Sequence, residues 1–352
     1  AVARDPRVHA PQSARPATAP ARERTPERRA RKLSGHNGSR RELRRGHGHV
    51  AVDGLSFDIA AGETVGLVGE SGCGKSSLAR VLAGLQQPRQ GYLAIQGQTM
   101  QSARDWRQAR RCVQMVFQDP AASLDPRMRV RSLLEEPLRA LRPEWDAAER
   151  AAKIDESLRA VGLSVEHGDR HAHRLSGGQA QRVAIARAII VAPDLLICDE
   201  PLSALDVSVQ AQIINLLREI QQQTGMALLL ITHDLAVVRA LCDRVYVKYL
   251  GSYMEQGRAD DVLARPAHPY TRALLSCVPR LEAGETSPIL LEGELPDPKN
   301  RPSGCVFRTR CPMVDDICAR SVPDWHRQPH GGYSACHFAA HQASPMTARA
   351  MR

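Results

Sequence analysis

Nowhere in the 352 residues do apolar side chains run for the roughly 18 consecutive positions that a membrane-crossing helix needs, which excludes a helical span of that kind. No apolar segment follows the charges near the N-terminus, so no secretory signal is expected. Without an export signal, the nine cysteines are expected to be reduced thiols or metal ligands and not disulfides, and the chain is expected to be cytosolic. Internal repeats are lacking. Phe, Tyr and Trp are missing from residues 1–49. Charge bias is missing from the rest: the net charge is +10, but residues 1–50 hold 12 Arg and 1 Lys against 4 acidic residues, leaving 35 basic and 34 acidic side chains in residues 51–352. That near-neutral body is not a basic protein, and nucleic acid is not expected as a partner. The basic run at the start could meet nucleic acid or anionic lipid, but a solvated leader is the expectation.

What is present divides the chain. Residues 1–46 are rich in Arg, Pro, Ala and Ser, without helical or strand periodicity, and cannot bury enough apolar surface to order themselves. From Val50 the text changes. AVDGLSFDIAAGE (51–63) reads as a strand with a turn, and TVGLVGESGCGKSSLARVLAGL (64–85) as strand, glycine loop, helix. Residues 129–162 are helical in pattern with breaks expected at Pro137 and Pro143. A helix is expected at about 177–191, then the strand DLLICD, a helix at about 207–224 closed by Gly225, and the strand MALLLI. Apolar strands alternating with helices imply an α/β fold around a parallel sheet. The expected division is a leader at 1–46, a main domain at 47–264 with a helical insert at about 121–175, a Pro-, Gly- and Cys-rich module at 265–340, and a tail at 341–352.

Three stretches carry chemistry. GESGCGKS at 69–76 fits GxxxxGK[ST] between a strand and a helix, the setting this phosphate-binding loop requires. Backbone N–H groups at about Gly72, Cys73, Gly74 and Lys75 form a nest for a β-phosphate at the helix N-terminus. Gly69, Ser71 and Ser77 complete the loop, Lys75 neutralises the β/γ oxygens, and the Ser76 hydroxyl ligates Mg²⁺. Cys73 lies in the loop at a position that tolerates many residues. LLICDE at 195–200 is an apolar strand ending in two carboxylates: Asp199 suits Mg²⁺ and Glu200 suits an attacking water. LSGGQ at 175–179, followed by Gln181 and Arg182, sets Ser176 before Gly177, Gly178 and Gln179 at a helix start, a second anion site with free N–H groups and a capping hydroxyl.

One chain has no evident use for two phosphate cradles, and LSGGQ resembles the signature loop of ABC-type ATPases. The resemblance covers about residues 50–340. It implies a P-loop core with a RecA-like parallel sheet, a helical subdomain and a small antiparallel sheet. It also implies ATP and Mg²⁺ as ligands, and a dimer in which the signature of one subunit closes over the γ-phosphate held by the other. In order along the chain, Gln118 in VFQDP is similar to the loop that touches Mg²⁺ and the attacking water. Ser203 to Asp206 is similar to the loop that crosses the dimer interface, and His233 in ITHDL to the switch histidine that positions Glu200 as general base. Glu200, His233, Gln118 and Lys75 are then the catalytic set. Such domains open with an aromatic residue that stacks on adenine. Residues 1–49 have none, leaving His47 or His49 as a weak stand-in.

QMVFQDPAASLDPRM at 114–128, PAHPYTRALL at 266–275 and LEGELP at 291–296 resemble the ATP-binding subunits of oligopeptide and dipeptide importers, as does the cysteine tail. The resemblance implies two transmembrane permease subunits and a second ATPase, identical or different, at the cytoplasmic face of the inner membrane, with a substrate-binding protein outside. Nickel chelates, opines and glutathione are alternative cargoes within the same architecture. A soluble translation or repair ATPase is the alternative of a different class. It is disfavoured because only one ATPase unit is present and only 100 residues separate Lys75 from Leu175. Cys305, Cys311, Cys318 and Cys336 can supply four thiolates to an iron–sulfur cluster or Zn²⁺. No C-x₂₋₄-C knuckle is present. Relatives in this importer family carry a [4Fe–4S] cluster, and the resemblance implies one here, with zinc or unliganded thiols as alternatives.

Overall fold

The computed structural model describes residues 55–203, 205–278 and 288–339. The expected leader, the adenine contact and the tail at 341–352 lie outside the described residues.

Ten strands are present among these residues: β1 (Thr64–Val68), β2 (Ala94–Ile95), β3 (Gln98–Thr99), β4 (Val113–Val116), β5 (Leu195–Asp199), β6 (Ala227–Thr232), β7 (Arg244–Tyr249), β8 (Ser252–Arg258), β9 (His326–Arg327) and β10 (Tyr333–Ser334). The main sheet runs β4-β5-β6-β1-β7-β8-β10-β9, and β2 pairs with β3 in a separate two-stranded sheet. Strands β4, β5, β6, β1 and β7 are parallel, while β8 and β10 add antiparallel ladders. The sheet is therefore mixed, with the expected parallel strands running from the β4 edge to β7 and the antiparallel ladders on the other side. Every residue of β1, β5 and β6 is buried. Strands covered by helices on both faces read as unbroken apolar runs without alternation, which is why their sequences announced them.

Register places the site. Val68 at the end of β1 lies opposite Thr232 at the end of β6, and Asp199 at the end of β5 lies opposite Ile231. The loops that follow these strands leave their carboxyl ends side by side, where ligands bind in open parallel sheets.

Between β4 and the helix Gly177–Ile189 the chain forms helices Val130–Leu141 and Ala147–Ala160 and two 3₁₀ turns. Pro137 does not break the first of these, although Pro143 follows its end. An interior proline costs a helix about 3 kcal/mol. Leu133, Leu134 and Leu138 on the same helix are buried to 1% exposure or less, and their burial at about 1.5–3 kcal/mol each outweighs it. Residues 55–60 likewise differ from expectation, forming no strand. Both edges of β1 are already taken by β6 and β7, so Ile59 is buried and the Asp58 carbonyl accepts from Arg244 without a ladder.

After β8, the buried carboxylate of Glu255 accepts backbone N–H bonds from Ala267 at 2.7 Å and His268 at 3.0 Å, fixing the start of helix Pro269–Ser276. Tyr249, Tyr270 and Phe307, all fully buried, pack together with centroids 4.9–5.3 Å apart, Tyr249 edge-on to the other two rings. This aromatic cluster joins the C-terminal segment to the sheet.

Candidate nucleotide site

The loop between β1 and helix Lys75–Leu82 turns on glycines in conformations that other residues adopt at a cost: Gly69, Gly72 and Gly74 have φ of 153°, 81° and 90°. A Cβ on Gly69 would sit 2.0 Å from the Lys248 carbonyl oxygen of β7. Only glycine passes there.

Lys75 is buried to 5% exposure. Its Nζ donates to the carbonyls of Gly69 at 2.7 Å and Glu70 at 3.1 Å and lies 4.0 Å from Glu200 Oε1. Folded onto the loop's own carbonyls, the ammonium is poised to exchange them for phosphate oxygens. Ser76 hydrogen-bonds to Asp199. Burial raises the Asp199 carboxyl above its usual range, with Ser76 acting against that shift. Asp199 Oδ1 is buried with no hydrogen-bond partner. A desolvated carboxylate oxygen lacking a donor, beside a serine hydroxyl, fits a hard cation such as Mg²⁺.

Glu200 is the hub. It has φ of 45°, an uncommon conformation for a non-glycine residue, and its N–H donates to the Ile231 carbonyl. Its side chain receives Gln118 Nε2 at 3.0 Å on Oε2 and faces His233 Nδ1 at 3.6 Å on Oε1. Residues from the ends of four strands thus meet on one carboxylate, which is 12% exposed. A carboxylate flanked by an amide and an imidazole can hold and polarise a water without losing its own orientation.

The second glycine stretch is built as a helix cap. Ser176 Oγ accepts the Gln179 N–H at 3.3 Å while Gln179 Oε1 accepts the Ser176 N–H at 3.2 Å, a complete capping box for Gly177–Ile189. Gly177 and Gly178 lie against Leu205 and Val209, next to Asp206, which caps Val207–Thr224 by accepting from Val209 N–H at 3.0 Å. Among the described residues no hydrogen bond or ion pair links Ser176, Gly177, Gly178 or Gln179 to the group around Lys75 and Glu200. The expected site residues therefore fall into two sets: Gly69 to Ser77 with Gln118, Asp199, Glu200 and His233, and Ser176 to Gln179 with Asp206. The Cys73 side chain is buried, with its sulfur beside Gly69.

Three residues beside the loop were not among the expected ones. Lys248 Nζ donates to the Gly74 carbonyl at 2.8 Å. Tyr270 Oη accepts the Glu70 N–H at 2.9 Å, and Arg310 Nη1 pairs with Glu70 Oε2 at 2.7 Å. No local pattern marks them.

The four tail cysteines converge without forming a metal-holding set. Cys305, Cys311 and Cys336 each feel the charge of others among the four. Burial, reinforced by those neighbours, pushes the Cys305 thiol to about 11 and the Cys311 thiol to about 12. Yet no group of three or more His, Cys, Asp or Glu among the described residues is placed to hold a metal ion. The expectation of an assembled metal centre is not supported at this point.

The family model for the ABC transporter matches residues 52–203, and that for the oligopeptide/dipeptide transporter C-terminal region matches 254–318. The chain is 48% identical over 292 residues to the oligopeptide transport ATP-binding protein OppF of Haemophilus influenzae, covering 81% of this chain and 88% of that protein. It is 50% identical over 279 residues to OppF of Escherichia coli, covering 78% and 83%. Among solved structures it is similar to cbiO1 of Clostridium perfringens, part of the ABC transporter complex cbiONQ, with a TM-score of 0.60, 28% identity and coverage of 67% and 92%. The ATP-binding cassette MJ0796 with ADP and Pi matches with a TM-score of 0.56 at 27% identity, covering 65% of this chain and 98% of that one.

Proposed function

Because the chain belongs to the ABC transporter family, as an ATP-binding subunit carrying the oligopeptide/dipeptide-transporter C-terminal region, we propose that it hydrolyses ATP to drive a multi-subunit importer of di- or oligopeptides. No helix among the described residues is long and apolar enough to cross a membrane. The pathway is assigned to two permease subunits, with this chain and a second ATPase docked on their cytoplasmic face and a substrate-binding protein outside.

The gathering of Gln118, His233 and Lys75 on Glu200 carries this reading. Backbone N–H groups of the loop and Lys75 bind the β- and γ-phosphates, and Gly177 and Gly178, at the helix start capped by Ser176, offer their N–H groups to the γ-phosphate of the partner's ATP. Glu200 accepts the proton of the attacking water, Gln118 fixes that water, and His233 holds Glu200 and the γ-phosphate in line. Ser76, Asp199 and Gln118 would hold Mg²⁺, which neutralises charge building on the phosphate oxygens. Affinity purification from gently solubilised membranes, with the native chain and Glu200→Gln in parallel, tests this. Both are expected to bring two permeases and a second ATPase, with turnover lost about 100-fold or more in Glu200→Gln. Ribosomal or DNA-repair partners without a permease would refute the transport reading, and near-native turnover would remove Glu200 as base.

We assign the four tail thiols, at a finer level, to a [4Fe–4S] cluster. The donor chemistry fits, but their present placement does not, and no ATPase step passes through them. Anaerobic purification is expected to yield iron and acid-labile sulfide in equal amounts. Zinc alone, or neither metal, would overturn the assignment.

A further inference from the structure

The turn between Cys305 and Cys311 touches the nucleotide loop. It is wound tightly: the Arg308 N–H donates to the Cys305 carbonyl at 3.1 Å and the Arg310 N–H to the Phe307 carbonyl at 3.0 Å, while the Cys305 N–H is tied to the Cys318 carbonyl at 2.8 Å. Two side chains on this turn bear on Glu70, the second residue of the loop, one directly and one through Tyr270. Phe307, with no exposed surface, packs on Tyr270, whose hydroxyl accepts the Glu70 N–H. Arg310 pairs with the Glu70 carboxylate, the two side chains being 11% and 27% exposed.

Glu70 is thus held from outside the ATPase motifs by both its backbone and its side chain. Its own carbonyl accepts Lys75 Nζ at 3.1 Å and the Cys73 N–H at 3.3 Å. A loop fixed before its ligand arrives spares the ordering cost that a free one would meet on binding. Arg310 also neutralises a carboxylate carried on the loop itself.

We propose that Arg310 is a positioning residue of the nucleotide site, and that the turn 305–311 is a brace through which the state of the tail thiols sets affinity for nucleotide. This rests on the ATP-site reading above and on no particular ligand of the thiols. A largely buried, charge-assisted pair predicts an effect on affinity of about tenfold.

The measurement is the Kd of a fluorescent ADP analogue for the full chain, with steady-state kcat and KM of the assembled transporter and with thermal unfolding as a folding control. Arg310→Met is expected to raise Kd and KM about tenfold and leave kcat within about twofold, with Arg310→Lys recovering part of the loss. Glu70→Gln in the Arg310→Met background is expected to add no further loss, because both variants remove one contact. Cys311→Ser is expected to weaken binding in the native chain and not in Arg310→Met. Native affinity in Arg310→Met, or losses that multiply in either pair, would overturn the proposal. If Arg310→Met does not fold, Arg310→Lys with Glu70→Gln reads the same coupling. Lys75→Ala separates the two levels. If it binds nucleotide as the native chain does, the site assignment fails. If it loses binding while Arg310→Met keeps it, only the brace fails.

Discussion

Lys248 stands in β7 with no exposed surface, its ammonium on the Gly74 carbonyl, whose peptide carries the Lys75 N–H into the phosphate nest. Burial brings its pKa from 10.5 down to about 8, with Cys73 opposing the shift and Lys75 and Arg301 adding to it. A lysine with a lowered folded-state pKa binds fewer protons folded than unfolded between pH 8 and 10.5, so its cost to stability is full below about pH 8 and fades as pH rises to 10.5. Lys248→Met removes that cost, up to about 3 kcal/mol from the shift alone. Denaturant unfolding is expected to show Lys248→Met more stable at pH 7, with the gain shrinking steadily to pH 10. A difference that does not change with pH would mean that the ammonium is not buried charged. Selection of a charge at this depth makes sense if it orients the loop for nucleotide, the benefit that offsets the stability lost.

At the scale of elements, sheet order explains why motifs far apart in the chain share one carboxylate. Strands β5, β6 and β1 are adjacent and parallel, so Glu200, His233 and the glycine loop all follow the carboxyl ends of neighbouring strands. That much was legible because each piece is local: apolar runs for the strands, a glycine at φ 69° closing Val207–Thr224, the Ser176 cap at the start of Gly177–Ile189. Pro137 misled because its local cost is real and the packing of Leu133, Leu134 and Leu138 is not local. The braces of the loop had no local signature at all. Lys248, Tyr270 and Arg310 reach it across 174, 200 and 240 residues, and a lysine in a strand or an arginine beside a cysteine carries no mark of the carbonyl or carboxylate it will meet. The string HPYTRALL was distinctive as text. Its chemistry, a buried Glu255 anchoring the turn and Tyr270 reaching Glu70, appears only in the fold.

For the whole molecule, the decisive feature is that one chain carries two anion-binding helix starts that do not meet. The loop at 69–76 opens helix Lys75–Leu82 beside Glu200, and the cap at Ser176 opens helix Gly177–Ile189 beside Asp206. In the reading proposed above, a single chain binds nucleotide but holds only half of each complete site, and turnover requires a second subunit to bring its own cap. Ser176→Arg separates the two functions. It removes the cap and blocks the N–H groups with a bulky cation, at about 1 kcal/mol of helix stability, without touching the Lys75 group. Binding of the fluorescent ADP analogue by the isolated chain is expected to stay within about twofold of native, while ATP turnover in the assembled transporter falls about 100-fold or more. Weakened ADP binding in the isolated chain would show instead that the cap serves its own loop, and a single subunit would then suffice for a complete site.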